Sequence, residues 1–122
     1  MATYTLRVRE RFEASHWLRS YKGKPEQIHG HSWTVEVVVE TDTLDDEGMG
    51  FDFVEIKRTL RELASRFDHN DINSVPPFDT ESPTTENVAR WFCHEMMDRL
   101  PDAGIAALTL WEGPDCSATY RP

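Results

Sequence analysis

The chain has 122 residues, and 13 Lys and Arg against 22 Asp and Glu give a formal net charge of −9. That is one domain's worth of polypeptide, expected to span 1–122, and with 39% hydrophobic and 11% aromatic residues it is not a disordered one. The acidity excludes sequence-independent nucleic-acid binding, which needs a basic surface to displace phosphate counterions, and it disfavours anionic membranes. A core this small leaves much surface exposed, and obligate assembly is one way for such chains to bury more. No apolar run approaches the ~20 residues of a membrane-spanning helix, and Met1 to Arg7 show no basic-then-apolar leader, so a cytoplasmic location is expected. Cys93 and Cys116 fall in an expected helix and an expected strand and read as two reduced thiols.

From Tyr4 the apolar residues alternate as Tyr4, Leu6, Val8, Phe12 and Ala14, which is strand periodicity. A loop containing Lys22 and Pro25 follows, then a second alternation of Trp33, Val35, Val37 and Val39, so the two runs predict a long antiparallel hairpin. After an acidic turn from Asp42 to Gly50, Asp52 and Glu55 have capping spacing, and Phe53, Ile56, Leu60, Leu63, Ala64 and Phe67 recur as one face of an amphipathic helix. Asp68 to Ser82 reads as a loop. A second helix is predicted from Thr84 or Thr85 to Leu100, with Val88, Trp91, Phe92, Met96 and Leu100 inward, ended by Pro101. Ala106, Leu108 and Leu110 start a third strand, and Cys116 to Arg121 a fourth. The order ββααββ predicts an α+β fold, an antiparallel sheet with two helices on one face.

Strand parity also singles out residues with chemistry. Extended back to His29, the second strand projects His29 and His31 on the face of Trp33 and Val35, and the count along the first strand brings His16 to the same face. At ~3.3 Å per residue His29 and His31 lie ~6.6 Å apart along that face, a spacing that suits two imidazoles closing on one ion while Gly30 leaves the other side open. Three imidazoles with an open fourth position describe a catalytic zinc site; the competing reading is polar residues hydrogen-bonded or solvated near a strand end. Glu112 shares the face of Leu108 and Leu110. A carboxylate there either ends the strand and is solvated in the turn, or accepts two parallel hydrogen bonds from a guanidine-like heterocycle edge. Asp68 beside His69 can orient it for proton transfer, although adjacent residues in such a loop are also ordinary turn formers. Glu26, three residues before His29, is within reach of a metal-bound substrate, and alone would pass as a surface charge.

Taken in order, Phe12 to His16, Glu26 to His31, Gly48 to Phe53, Phe67 to Asn73, Pro83 to Asn87 and Glu112 resemble the 6-pyruvoyl tetrahydropterin synthase and 6-carboxytetrahydropterin synthase family. The resemblance implies a tunnelling fold, in which ββααββ subunits form a trimer around a β-barrel and two trimers stack into a homohexamer with pterin sites between subunits. It implies that His16, His29 and His31 hold zinc, that Glu112 with Thr84 and Thr85 anchors the pterin ring, and that Asp68 and His69 form a proton-relay pair. One departure stands out. The family's Cys before the His-Gly-His is missing, since Ser20 to Ile28 contain none, and Glu26 stands three residues before His29. Glu-x-x-His-Gly-His resembles the subgroup that cleaves the side chain of 7,8-dihydroneopterin triphosphate to 6-hydroxymethyl-7,8-dihydropterin for folate synthesis.

The expected activity is therefore that of a zinc-dependent lyase on a small pterin substrate, with Glu26 as general base and His69, held by Asp68, as the second proton-transfer group. A carboxylate is a weak base near neutrality unless partly desolvated. A −9 chain repels a polyanionic substrate at long range, so Arg19, Lys22 and Lys24 are candidates for local compensation, against the alternative of a solvated loop. The alternatives are 6-carboxytetrahydropterin synthesis (queuosine and deazapurine chemistry) with Glu26 replacing Cys, 6-pyruvoyl tetrahydropterin synthesis, a catalytically inactive pterin- or zinc-binding module, and an α+β domain without metal.

Overall fold

Two 13-residue strands, β1 (Tyr4–His16) and β2 (His29–Thr41), form the spine of the computed structural model, which describes residues 3–122. Met1 and Ala2, the start of the stretch read for a leader and of the domain expected over 1–122, lie outside the described residues. The strands pair antiparallel without interruption from Tyr4 opposite Thr41 to His16 opposite His29. Their alternation is the one expected. Val8, Phe12, Ala14 and His16 of β1 are buried with Trp33, Val35, Val37 and Val39 of β2, while Arg7, Arg9 and Arg11 face the other way.

Helix α1 (Phe53–Ala64) begins where Asp52 caps it, its side chain accepting from the Val54 amide at 2.9 Å. Helix α2 (Thr85–Arg99) is capped by Thr84, whose Oγ1 accepts from the Asn87 amide at 3.1 Å. Both helices lie on the apolar face of the sheet, α1 over β1 and α2 over β4 (Ile105–Glu112) and β5 (Ser117–Tyr120). The core between the layers is aromatic: Phe12 stacks on Trp33 with ring centroids 5.9 Å apart and also meets Phe67 and Phe92. No helix of the described residues is long and apolar enough to cross a membrane. Cys93 is buried, Cys116 is exposed, and both are free thiols.

The α+β plan with its two helices on one face is the expected one, and four details differ. The loop after α1 contains a two-residue strand, β3 (Asn70–Asp71), that pairs parallel with Ala14 and Ser15, so the sheet is mixed, in the order β3-β1-β2-β4-β5. A two-residue strand has no periodicity to read; the pairing exists because the loop is tied to β1 by the His69 amide donating to the Glu13 carbonyl at 2.6 Å. Phe53 is 56% exposed instead of inward, because the first turn of α1 stands beside the open edge of β1 and borders a groove with Arg7 and Arg9. Phe67, though fully buried, follows the end of the helix.

The fourth difference is a β-bulge. Val38 pairs with Ala107 but Val39 pairs with Ile105, so Ala106 is an extra residue, and Ile105 instead of Ala106 packs against the core. Just before it, Gly104 has φ +73° and approaches the Glu40 carbonyl so closely that a Cβ would lie 2.7 Å from the oxygen, which leaves room for glycine alone.

Removing the Asp52 cap by Asp52→Ala should cost about 1 kcal/mol, and Trp33→Ala, which empties the centre of the core, about 3–5 kcal/mol. Urea unfolding followed by circular dichroism checks both, and equal losses would contradict this ranking of cap and core.

Candidate metal centre and active site

The long hairpin ends in histidines. His16 and His29 are the last paired residues of β1 and β2, and His31 is one inward step back along β2. Because all three lie on the helix-covered face, their rings collect above Trp33: His16 and His29 centroids are 4.7 Å apart, His29 and His31 4.8 Å, and His16 meets the Trp33 ring edge-on at 4.9 Å. Strand β4 adds a fourth group. Glu112 pairs opposite Trp33, diagonal to His31, so its side chain reaches over the imidazoles. One ligand atom from each of His16, His29, His31 and Glu112 lies within 4.8 Å of all the others.

Hydrogen bonds outside this group set the rings for ligation. His16 Nδ1 donates to the Pro83 carbonyl and His29 Nδ1 to the Gln27 carbonyl, each at 2.9 Å. In both rings Nε2 is then the atom with the lone pair, the tautomer a metal ligand needs. Burial is the main reason the His16 imidazole titrates below its ordinary range; His29 and His31 push the same way, while the Pro83 carbonyl and Glu112 oppose them. His16 Nε2 and His31 Nε2 are buried with no hydrogen-bond partner. Such orphaned atoms are costly in an apolar setting. Three imidazoles and a carboxylate, with His16 Nε2 and His31 Nε2 unsatisfied, fit a divalent metal ion.

Glu26 comes to the edge of this cluster. Its Oε1 accepts from the Leu18 amide at 3.1 Å and lies 3.7 Å from His29 Nδ1, and its own amide donates to the Leu18 carbonyl at 2.9 Å. The carboxylate is thus pinned between the two chain segments that lead into the histidines. Thr85 Oγ1 donates to Glu112 Oε2 at 2.7 Å, whereas the Thr84 hydroxyl is occupied as the cap of α2. Gathering of Glu112 with the histidines was not expected from sequence, because it depends on the pairing of β2 with β4, which parity along one strand does not report.

Asp68 and His69 lie elsewhere. Asn70 pairs with Ala14 and Ala14 with His31, so the backbone next to His69 is two interstrand steps from His31, roughly 10 Å. The pair is nevertheless ordered: His69 Nδ1 is 3.1 Å from Asp68 Oδ1, and the same oxygen accepts from the Glu13 amide at 2.8 Å. That amide is the main reason the Asp68 carboxyl sits below the usual carboxylate range, with the His69 side chain adding to it. His69 has φ +61°, a left-handed conformation uncommon outside glycine. An open cavity of about 580 Å³ runs between the two places, with His31 and Ser32 on one side and His69 and Asp71 on the other.

Of the basic residues proposed to face phosphate, Arg19 is already engaged. Its Nη2 donates to the Phe78 carbonyl at 2.5 Å and its guanidinium lies over the Trp17 ring. Lys22 lies within a tight turn that Tyr21 and Lys24 close; both lysines are exposed and make no ion pair among the described residues.

Two outcomes are expected. Elemental analysis should find about one zinc-class metal ion per chain, lost in His29→Ala because a ligand is removed, and a metal-free wild-type protein would contradict the ligand set. The second concerns acid. A carboxyl whose folded pKa is depressed contributes stability that is fully present above its unfolded pKa of ~3.9 and is lost as pH falls through the lower folded value. Asp68→Asn should therefore lower the urea midpoint near pH 6, with the deficit shrinking below about pH 4; a deficit that grows on acidification would refute the assignment.

Known proteins resemble this chain in sequence and in fold. Residues 5–122 match the model of the family described as 6-pyruvoyl tetrahydropterin synthase. The dihydroneopterin monophosphate aldolase of Pyrococcus furiosus is 33% identical over 106 residues, 86% of each chain. The 6-carboxy-5,6,7,8-tetrahydropterin synthase of Aquifex aeolicus is 30% identical over 119 residues, covering 77% of this chain and 74% of that one. Among solved structures, Caenorhabditis elegans 6-pyruvoyl tetrahydropterin synthase superposes with a TM-score of 0.87 at 23% identity, over 100% of this chain and 97% of that one, which shows a shared fold. Nearly the whole chain matches the family model, and a relative shares a third of its residues across most of both sequences; the protein belongs to the 6-pyruvoyl tetrahydropterin synthase family.

Proposed function

We propose that the chain is a zinc-dependent lyase that cleaves the side chain of a phosphorylated 7,8-dihydroneopterin to leave 6-hydroxymethyl-7,8-dihydropterin. The observation that carries this reading is Glu26, pinned by the Leu18 backbone and 3.7 Å from His29, at the place where the family's thiol would stand. Neither Cys93, inside α2, nor Cys116, exposed beside β5, can substitute for it. The Pyrococcus furiosus relative, named a monophosphate aldolase, supports an aldol-type cleavage.

A carboxylate in place of a thiol changes which bond breaks. Glu26 would take the proton from the second side-chain hydroxyl; the oxygen's electron pair forms a carbonyl, the bond between the first two side-chain carbons breaks, and its electrons pass into the conjugated ring. Return of a proton to the first carbon leaves the hydroxymethyl group, and a phosphorylated two-carbon aldehyde departs. Bound zinc would supply Lewis acidity that lowers the pKa of the side-chain hydroxyls. Glu112, held by Thr85, would accept the paired N–H donors of the pterin. Thr84 positions that end of α2 as its cap.

His69, oriented by Asp68, would be the second proton-transfer group. Its distance from the histidines within one chain suits a site completed between copies, as in the homohexamer that the family resemblance implies, in a cytoplasmic enzyme. Lys22 and Lys24, exposed and without an ion pair among the described residues, would meet the phosphate, while Arg19 gives its Nη2 to the Phe78 carbonyl.

Mass spectrometry of the products from dihydroneopterin monophosphate and triphosphate, with zinc-loaded protein, tests the reading. The hydroxymethyl product should form, and Glu26→Gln should slow it by about 10²–10⁴-fold with unchanged metal content. Carboxytetrahydropterin without the hydroxymethyl product would overturn the reaction in favour of the synthase alternative. Pterin binding with no turnover would identify an inactive binding module.

A further inference from the structure

Glu112 stands where two demands meet. Its Oε1 is 3.2 Å from His31 Nε2 and its Oε2 is 3.7 Å from His16 Nε2, yet neither nitrogen has a hydrogen-bond partner. The His16 contact is the more telling. The Nδ1–H of that ring donates to the Pro83 carbonyl, so Nε2 turns a lone pair toward a carboxylate that also has only lone pairs to offer. Two acceptors facing each other across a buried gap repel unless a positive charge sits between them. Thr85 occupies part of Oε2 with its 2.7 Å hydrogen bond, and Oε1 has no such donor among the described residues.

We infer that Glu112 is a displaceable fourth ligand: its carboxylate closes the metal site when no substrate is present and leaves the metal when a pterin ring offers paired N–H donors. The inference rests on the proposal that Glu112 anchors the pterin, and adds that one carboxylate serves both partners in turn. Position permits the exchange. Glu112 is the last residue of β4 and is followed by Gly113 with φ +97°, so the side chain projects from a strand end and not from the middle of the ladder. The Thr85 bond to Oε2 can persist in both states and act as the pivot. Because metal and ring compete for one group, each must weaken the other, and by the same factor.

The test uses full-length protein loaded with cobalt(II), whose visible absorption reports the ligand set, and a pterin with no substituent at position 6, which has no side-chain hydroxyl to bring to the metal. Glu112→Gln should change the cobalt spectrum and weaken metal binding by at least about 10-fold, the lower end of what losing even an outer partner of a ligand costs. Adding the pterin to wild type should move its spectrum toward that of the variant and weaken cobalt binding; the variant should show neither response. Identical spectra for wild type and Glu112→Gln would overturn ligation. The wild-type titration needs no folded variant, and pterin binding that leaves cobalt affinity unchanged or raised would overturn displacement. If the variant bound the pterin as tightly as wild type, the anchor role itself would fall, while the difference in spectra would still decide ligation.

Discussion

The register of β1 on β2 is the constraint from which the rest follows. Thirteen consecutive pairs run from Tyr4 and Thr41 to His16 and His29, and the buried apolar positions of both strands keep one phase throughout. A slip of one residue would turn Trp33, Val35 and Val37 to the uncovered face and carry His29 and His31 with them. The same hydrophobic burial that fixes the core therefore fixes the imidazoles, at no further cost in local structure. Trp33 joins the two: it stacks on Phe12 below, donates its indole N–H to the Ala14 carbonyl at 3.1 Å, and offers its edge to His16 and His31 above.

The site is polar matter set on an apolar floor. His16 is 1% exposed and is held by a single hydrogen bond through its outer nitrogen, which orients the ring but leaves the inner one unsatisfied. A fold tolerates such a cost where an ion is to be bound, because the ion recovers what desolvation took away. Around the cluster the supporting contacts come from separate parts of the chain: Pro83 before α2, Gln27 before β2, and Leu18 after β1. Loops that would otherwise be free are thus committed to aiming side chains, and Arg19 is spent in the same way on the Phe78 carbonyl.

Whatever depended on local chemistry was legible in the sequence. The Asp52 cap, the approximate span of α2, and the common face of His16, His29, His31 and Trp33 follow from side chains acting within a few residues or from parity along one strand. What depended on pairing between distant segments was not. The approach of Glu112 to the histidines requires β4 to lie beside β2 with Glu112 opposite Trp33, and the parallel pairing of Asn70 and Asp71 requires a loop tied to Glu13. Phe53 obeys the helical period and is still exposed, since the period gives an angle around the helix and not where the sheet beneath it ends. Glu26 stood out only by its place three residues before His29; apart from that motif it is one acid among 22.

The extra residue at Ala106 has a consequence for how the protein tolerates change. It lets the start of β4 follow one phase, set by the Gly104 turn against Glu40, while Leu108, Leu110 and Glu112 follow another, set by Val37, Val35 and Trp33. The two halves of the strand are uncoupled in rotation. Length variation arising between α2 and β4 can be absorbed at the bulge before it reaches the carboxylate, so the turn is free to diverge over evolutionary time while Glu112 keeps its aim.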